Sequence, residues 1–160
     1  RRNHASVEVI KLKPWLDHFA EAFKQACDDK FSLFLNCDPD YLISFDPDQL
    51  QQVLHNICGN GLRYALLNNP TQAEIRITAK QHSDGSIKLY LVDNGAGISE
   101  ENQKKLFEPF FTTEHSGTGL GLYLCREICE ANETNIKFIS NNQLTEGMGS
   151  CFCLSFSQVN

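Results

Sequence analysis

Several features are missing from this 160-residue sequence, and each absence excludes a class of protein. No apolar run approaches the roughly 18 residues that a membrane-spanning helix needs, and no charged-then-apolar secretion signal opens the chain. Basic residues are few, since 14 Lys and Arg stand against 20 Asp and Glu, for a net charge of −6. Non-specific nucleic-acid binding is therefore disfavoured, because phosphate contacts need clustered basic side chains. The length and the 41% of apolar residues fit one globular domain.

A disulfide framework is also missing. The seven cysteines form an odd, scattered set, which favours reduced thiols in a cytoplasmic compartment. Cys125 and Cys129 share a helix face, and Cys151 and Cys153 share a strand face, so a metal site would be geometrically allowed. Core packing is the favoured interpretation, because free cysteine usually behaves as a small buried hydrophobe.

Hydrophobic periodicity predicts a mixture of helices and strands. Asp46 is a predicted helix N-cap, with Pro47 at the first helical position and Gln49 placed to close a capping box. The predicted elements are helices at 12–27, 99–106 and 120–131, a helix from Pro47 to the stop at Asn68-Asn69-Pro70, and strands at 30–35, 74–81, 86–93, 135–140 and 150–157. This order predicts an α+β domain with helices on one face of a sheet.

Two glycine motifs carry the first chemical signal. Residues 93–98, Asp-Asn-Gly-Ala-Gly-Ile, follow an apolar strand, so Asp93 could accept a hydrogen bond from an exocyclic amine while the glycines let a ligand approach the backbone. Residues 117–122, Gly-Thr-Gly-Leu-Gly-Leu, open a helix whose N–H groups could face an anion. This second motif lacks the Gly-Lys-Ser/Thr of a P-loop. Taken singly, a tight turn and a glycine hinge remain open alternatives.

Two further segments add polar and aromatic groups. Asn56, Asn60 and Arg63 lie at i, i+4 and i+7 on the helix that starts at Pro47, where an amide oxygen could ligate magnesium and Arg63 could reach a phosphate. A solvated helix flank is the alternative. Residues 106–113, Leu-Phe-Glu-Pro-Phe-Phe-Thr-Thr, place three aromatics in a loop, where they could anchor a lid or simply the loop itself.

In this order, the four segments resemble the N, G1, F and G2 boxes of histidine-kinase catalytic domains. Residues 147–152, Gly-Met-Gly-Ser-Cys-Phe, resemble the closing glycine motif, and the resemblance covers roughly residues 7–157. Within the family, residues 112–113 and 121–132 most resemble PilS-type sensors. Four ordered motifs are far more specific than any one of them.

The resemblance implies a two-layer α/β sandwich that binds ATP and Mg²⁺, the Bergerat fold, with about five strands in a mixed sheet and about three helices on one face. Asn60 would ligate magnesium with Asn56 nearby, Arg63 would contact phosphate, Tyr64 would stack on adenine and Asp93 would bind the adenine amine. Asn56, Asn60 and Arg63 are the implied catalytic residues. The remaining implied nucleotide-binding residues are Gly95, Gly97, Ile98, Thr112, Gly117, Thr118, Gly119, Leu120, Gly121 and Leu122.

The resemblance also implies partners and a location. Residues 1–6 would end a linker from a dimerisation domain, 7–160 would form the catalytic domain, and a response regulator would receive the phosphoryl group. The isolated domain is expected to be monomeric, the parent protein a homodimer, and the domain the cytoplasmic part of an inner-membrane sensor. Nucleic acid is not an expected partner.

Two departures from the family pattern stand out. No Lys or Arg lies between Phe111 and Gly117, so the usual basic contact from the lid to the γ-phosphate is missing. None of the five histidines is followed by the Glu-hydrophobic-Arg-x-Pro pattern of a phosphoacceptor helix. The fragment is therefore expected to bind ATP and ADP with little autokinase activity of its own.

Three other functions compete with the histidine-kinase interpretation of these motifs. A gyrase- or MutL-like clamp ATPase needs a Glu general base where this chain has Asn56, which cannot act as a base. Serine kinases of the anti-sigma class lack the Phe-Glu-Pro-Phe-Phe segment. A decayed, non-enzymatic binding module is disfavoured because Asp93, Asn60 and the glycines are intact.

Overall fold

A mixed five-stranded sheet forms one layer of the domain. The computed structural model describes residues 5–112, 120–139 and 149–159. The strands of the sheet are β2 (Ser32–Asn36), β4 (Glu74–Gln81), β5 (Ile87–Asp93), β6 (Asn135–Ile139) and β7 (Ser150–Phe156). Strand β2 lies parallel to β4, and the other neighbours are antiparallel, in the order β2-β4-β5-β7-β6.

Three helices pack on one face of this sheet. They are α1 (Leu12–Ala26), α2 (Pro47–Asn68) and α4 (Gly121–Ala131), and the short α3 (Glu100–Gln103) precedes the aromatic loop. Alternate residues of β5, among them Leu89 and Leu91, enter the shared core with the helices. The predicted two-layer α+β fold is therefore confirmed. Within the described ranges, no helix has the length and apolar character needed to cross a bilayer.

A second, two-stranded sheet was absent from the predicted elements. Strand β1 (Glu8–Lys11) pairs antiparallel with β3 (Leu42–Phe45), so the start of the chain lies against the segment that leads into α2. Ile10, Ile43 and Phe45 turn inward and are buried in the main core. The small sheet thereby closes the end of the core at which α2 begins.

The first turn of α2 confirms one local prediction and corrects another. The Asp46 carboxylate accepts hydrogen bonds from the N–H groups of Asp48 and Gln49, as an N-cap should. The predicted capping box is wrong, because the N–H of Asp46 donates to Asn132 Oδ1 and the Gln49 side chain accepts from Asn132 Nδ2. Asn132 thus occupies the partners that a local capping box would have used.

The paired cysteines are buried on opposite sides of the sheet. Cys125 and Cys129 of α4 join the core, whereas Cys151 and Cys153 lie on the other face of β7, flanked by Tyr90 and by residues of β6. Burial raises the pKa of Cys125, Cys129 and Cys151 to about 12, so these thiols stay protonated at neutral pH. Their arrangement is that of small packing residues, the interpretation favoured from the sequence.

Candidate nucleotide site

Asp93 ends strand β5 as a buried carboxylate. It is 5% exposed, and its Oδ1 accepts a hydrogen bond of 2.8 Å from the N–H of Gly95. Burial raises the pKa of Asp93 from 3.8 to about 7, and the bond from Gly95 opposes this only in part. Among the described residues, Gly95 is the sole hydrogen-bond donor to the carboxylate. Oδ2 therefore keeps its capacity to accept a bond from a ligand.

Glycines around Asp93 allow three backbone segments to converge. A Cβ on Gly61 of α2 would lie 3.1 Å from Asp93 Oδ2, and one on Gly149 would lie 2.0 Å from the carbonyl oxygen of Gly95. Gly149 also donates a 2.7 Å bond to the carbonyl of Asp93. Gly97 has φ +86°, in the left-handed region that favours glycine. The pocket is thus built by close backbone approaches that larger residues would prevent.

The pocket above Asp93 is mostly apolar. Its walls come from α2, the segment after β5, the start of α4 and strand β7. The lining residues are Asn60, Gly61, Tyr64, Asp93, Ile98, Leu106, Leu122, Ser150 and Phe152. Five of them, Asn60, Tyr64, Asp93, Ile98 and Leu122, belong to the predicted site, so the structure brings together residues that are far apart in sequence.

Four wall residues were not among the predicted site residues. The sequence motifs give Gly61 no role, and they place Leu106 only at the start of the aromatic loop. Ser150 and Phe152 stand in the closing glycine motif, which carried no ligand role. The register Asp93↔Ser150 between β5 and β7 places Ser150 beside the carboxylate, a relation that only strand pairing reveals. A polar residue directly after the Gly-Met-Gly segment was the available signal.

The polar residues of α2 face two different partners. Asn60 lies at the pocket wall, and its Oδ1 accepts a hydrogen bond from the Arg63 guanidinium. Asn56 lies one turn earlier and donates a 3.2 Å bond from Nδ2 to the carbonyl of Gly121, the first residue of α4. Asn60 therefore presents its oxygen to a cation, and Asn56 ties α2 to the helix that follows the glycine motif.

Leu120 and Gly121 of the predicted site stand at the start of α4. Leu120 is the half-buried N-cap of α4. Gly121 is packed so closely that a Cβ added there would lie 2.8 Å from Asn56 Oδ1. Thr112 is exposed at the end of the aromatic loop. Gly117, Thr118 and Gly119 lie outside the described residues, as do Gly147 and Met148 of the closing motif.

The three aromatics of the loop have unequal environments. Phe107 meets Phe152 edge-to-face at 6.1 Å between ring centroids and lies beneath the Arg126 guanidinium at 5.9 Å. Phe111 packs against the core, but Phe110 is 74% exposed and has φ +67°. Phe107 therefore anchors the loop to the pocket wall, Phe111 anchors it to the core, and Phe110 faces outward.

The family described as histidine kinase-, DNA gyrase B- and HSP90-like ATPases matches residues 45–160. The chain belongs to this family. Over 98% of its length it is 38% identical to the sensor protein kinase PilS of Pseudomonas aeruginosa, of which it covers 29%. Over 70% of its length it is 40% identical to the histidine-protein kinase AtoS of Escherichia coli K12, of which it covers 17%. The predicted resemblance to histidine-kinase catalytic domains of the PilS type is confirmed.

Solved structures show the same fold in this ATPase family. The catalytic domain of histidine kinase ThkA in a nucleotide-free form matches with a TM-score of 0.77 at 24% identity, over 96% of each chain. Full-length ShkA in complex with AMPPNP matches with a TM-score of 0.79 at 21% identity, over 99% of this chain and 33% of that one. The chain spans less than a third of the length of the curated relatives PilS and AtoS.

Proposed function

We propose that this ATPase-family domain serves as the ATP-binding catalytic domain of a sensor histidine kinase. Its residues would hold Mg-ATP so that the γ-phosphoryl group is presented to a histidine on a separate dimerisation domain, for relay to a response regulator. The observation that carries the proposal is the Asp93 carboxylate, which is buried beneath an apolar pocket with one oxygen open to a ligand.

The lining of the pocket suits the chemistry of adenine. A purine has flat apolar faces and one exocyclic amine, and the pocket offers apolar walls above a single buried acceptor. In the ionised state, Asp93 Oδ2 accepts a hydrogen bond from that amine. Ile98, Leu122 and Phe152 cover the ring, and Tyr64 packs beside it. A purine without this amine would leave the buried carboxylate unpaired, so the pocket would select adenine over such purines.

The triphosphate would extend along α2 towards the start of α4. Asn60 Oδ1 already faces the guanidinium of Arg63, so the same oxygen suits Mg²⁺, which prefers oxygen ligands. Arg63 would then turn its donors to a phosphate oxygen. Gly121 and Leu120, with Gly117, Thr118 and Gly119 of the same motif, would supply backbone N–H groups to the phosphates. Catalysis would rest on positioning and charge neutralisation.

The acceptor histidine would come from another domain. Residues 7–160 would form the catalytic domain and 1–6 the end of its linker, with the parent protein a homodimer at the inner membrane and this domain on the cytoplasmic side. The relatives PilS and AtoS are sensor kinases much longer than this chain, which supports the proposal of further domains. Isolated, the domain would bind nucleotide as a monomer and transfer little phosphate.

The test is a transfer assay with γ-³²P-labelled ATP. The domain alone is expected to stay unlabelled, and addition of the helical dimerisation domain of the same parent protein should place label on that partner as acid-labile, alkali-stable phosphohistidine. Asn60→Ala should abolish the transfer, while Cys27→Ser, at a partly buried position that does not line the pocket, should preserve it. Steady release of inorganic phosphate without any partner would instead favour a clamp ATPase.

A further inference from the structure

Helices α2 and α4 are joined by three cross-contacts, which we call the α2–α4 ladder. At one end Asn132, the C-cap of α4, accepts from the N–H of Asp46 at 2.9 Å and donates to Gln49 Oε1 at 2.8 Å. In the middle, Cys125 Sγ donates to the carbonyl of Val53. At the other end, Asn56 Nδ2 donates to the carbonyl of Gly121. As residue numbers rise along α2 they fall along α4, so the two helices run antiparallel.

The segments of α2 and α4 between the two ends of the ladder are similar in length. Asp46 and Asn56 are ten residues apart, or about 15 Å along α2, and Gly121 and Asn132 are eleven residues apart, or about 16 Å along α4. The Asn132 end therefore fixes the sliding of one helix against the other, and the Asn56 end lies where the triphosphate is proposed to bind. A shift at the first end has to reappear at the second, because the helices between them are rigid.

Asn132 is placed for this purpose by burial and by complete use of its amide. The residue is 6% exposed, and its Oδ1 accepts a hydrogen bond from the N–H of Asp46. Its Nδ2 donates to Gln49 Oε1 and to the carbonyl of Ile128, each at 2.8 Å. An apolar side chain could fill the space but could not hold the first turn of α2. Asp46 also accepts a 2.9 Å bond from the N–H of Ser6, so the incoming chain meets the same junction.

We propose that Asn132 and Gln49 are positioning residues for the phosphate end of the nucleotide site. Neither side chain lines the pocket, and each acts through the ladder by setting the distance between Asn56 and Asn60 on α2 and Gly121 on α4. At the adenine end, the amine acceptor Asp93 and the ring-covering Ile98 and Phe152 lie outside the ladder, whereas Tyr64 and Leu122 stand on its two helices. The inference rests on the proposed nucleotide function and predicts that the ladder governs phosphate binding more strongly than adenine binding.

The experiment compares Mg-ATP with adenosine by calorimetry on the full chain. Gln49→Ala, at a half-buried position that tolerates truncation, should weaken Mg-ATP binding about fivefold and leave adenosine binding within about twofold. Gln49→Glu keeps an oxygen facing Asn132 Nδ2 and should restore Mg-ATP binding. Asn132→Ala removes the whole end of the ladder and should weaken Mg-ATP binding more than Gln49→Ala does.

A stability control separates positioning from general loosening. Ile77 of β4 is fully buried between β2 and β5 and belongs neither to the ladder nor to the pocket lining. Ile77→Val should lower the melting temperature and leave the ratio of Mg-ATP to adenosine affinity unchanged. Variants at Gln49 that bind both ligands as the wild type does, or that lose both equally, would overturn the inference. A wild-type chain that binds neither ligand would overturn the proposed function and this inference with it.

Discussion

Two glycines of α2, only two residues apart, should respond to alanine in opposite ways. Gly59 has open space at its Cβ position, so Gly59→Ala should add about 0.5–1 kcal/mol to the free energy of unfolding through helix propensity. Gly61→Ala gains the same propensity, but its methyl group would lie 3.1 Å from Asp93 Oδ2 and 3.4 Å from Ile75 Cδ1. The Asp93 side chain cannot move away from this methyl group, because the hydrogen bond from Gly95 and the pairing of β5 with β7 fix its position.

Overpacking of this kind costs about 1–3 kcal/mol, which exceeds the gain from helix propensity. Gly61→Ala should therefore lower the free energy of unfolding by about 1 kcal/mol. Thermal unfolding is the assay, with an expected rise of about 1–4 °C for Gly59→Ala and a fall of similar size for Gly61→Ala. ATP at 100 times Kd should stabilise the wild type and Gly59→Ala by about 2.7 kcal/mol. The methyl group of Gly61→Ala blocks the open oxygen of Asp93, so that gain should vanish. A Gly61→Ala domain that melts as high as Gly59→Ala and keeps the ATP shift would refute this reasoning.

Three other predictions concern single groups. Because protonation of Asp93 removes the charge that strengthens its hydrogen bond from the amine, and its pKa is about 7, ATP binding should be weaker at pH 6 than at pH 8 by up to about tenfold, and calorimetry on Asp93→Asn should show no such dependence. Exposed Glu133 has φ +53° after the C-cap of α4, so Glu133→Gly should raise stability to urea by about 1 kcal/mol, whereas Glu133→Ala should not. Gly149→Ala should cost about 3 kcal/mol or more, measured by urea unfolding, because its methyl group would collide with the Gly95 carbonyl; a stable variant would contradict the described approach.

Local sequence signals predicted most of the main fold. The start of α2 could be predicted because Asp46 and Pro47 act on their own neighbours, and strands β4 and β5 could be predicted because each carries its own pattern of alternating residues. Strands β1 and β3 were not readable. Each has four residues, and their pairing joins positions more than thirty apart in the chain.

The same difference between local and long-range contacts separates the site residues that could be predicted from those that could not. Asp93 and Asn60 could be predicted from motifs, since each carries its chemistry in its own side chain. Ser150 and Phe152 reach the pocket through the register of β5 with β7, which no local pattern specifies. The capping box failed for the same reason, because Asn132, more than eighty residues away, satisfied the groups that Gln49 would have served locally.

The most direct test of the central claim is calorimetric titration of the chain with Mg-ATP and Mg-ADP, alongside Asp93→Ala. The wild type should bind both nucleotides saturably at a single site. Asp93→Ala should bind them at least about tenfold more weakly, because the buried acceptor for the adenine amine is gone. Absence of binding at millimolar nucleotide, or equal affinity in the two proteins, would contradict the assignment of this pocket to ATP.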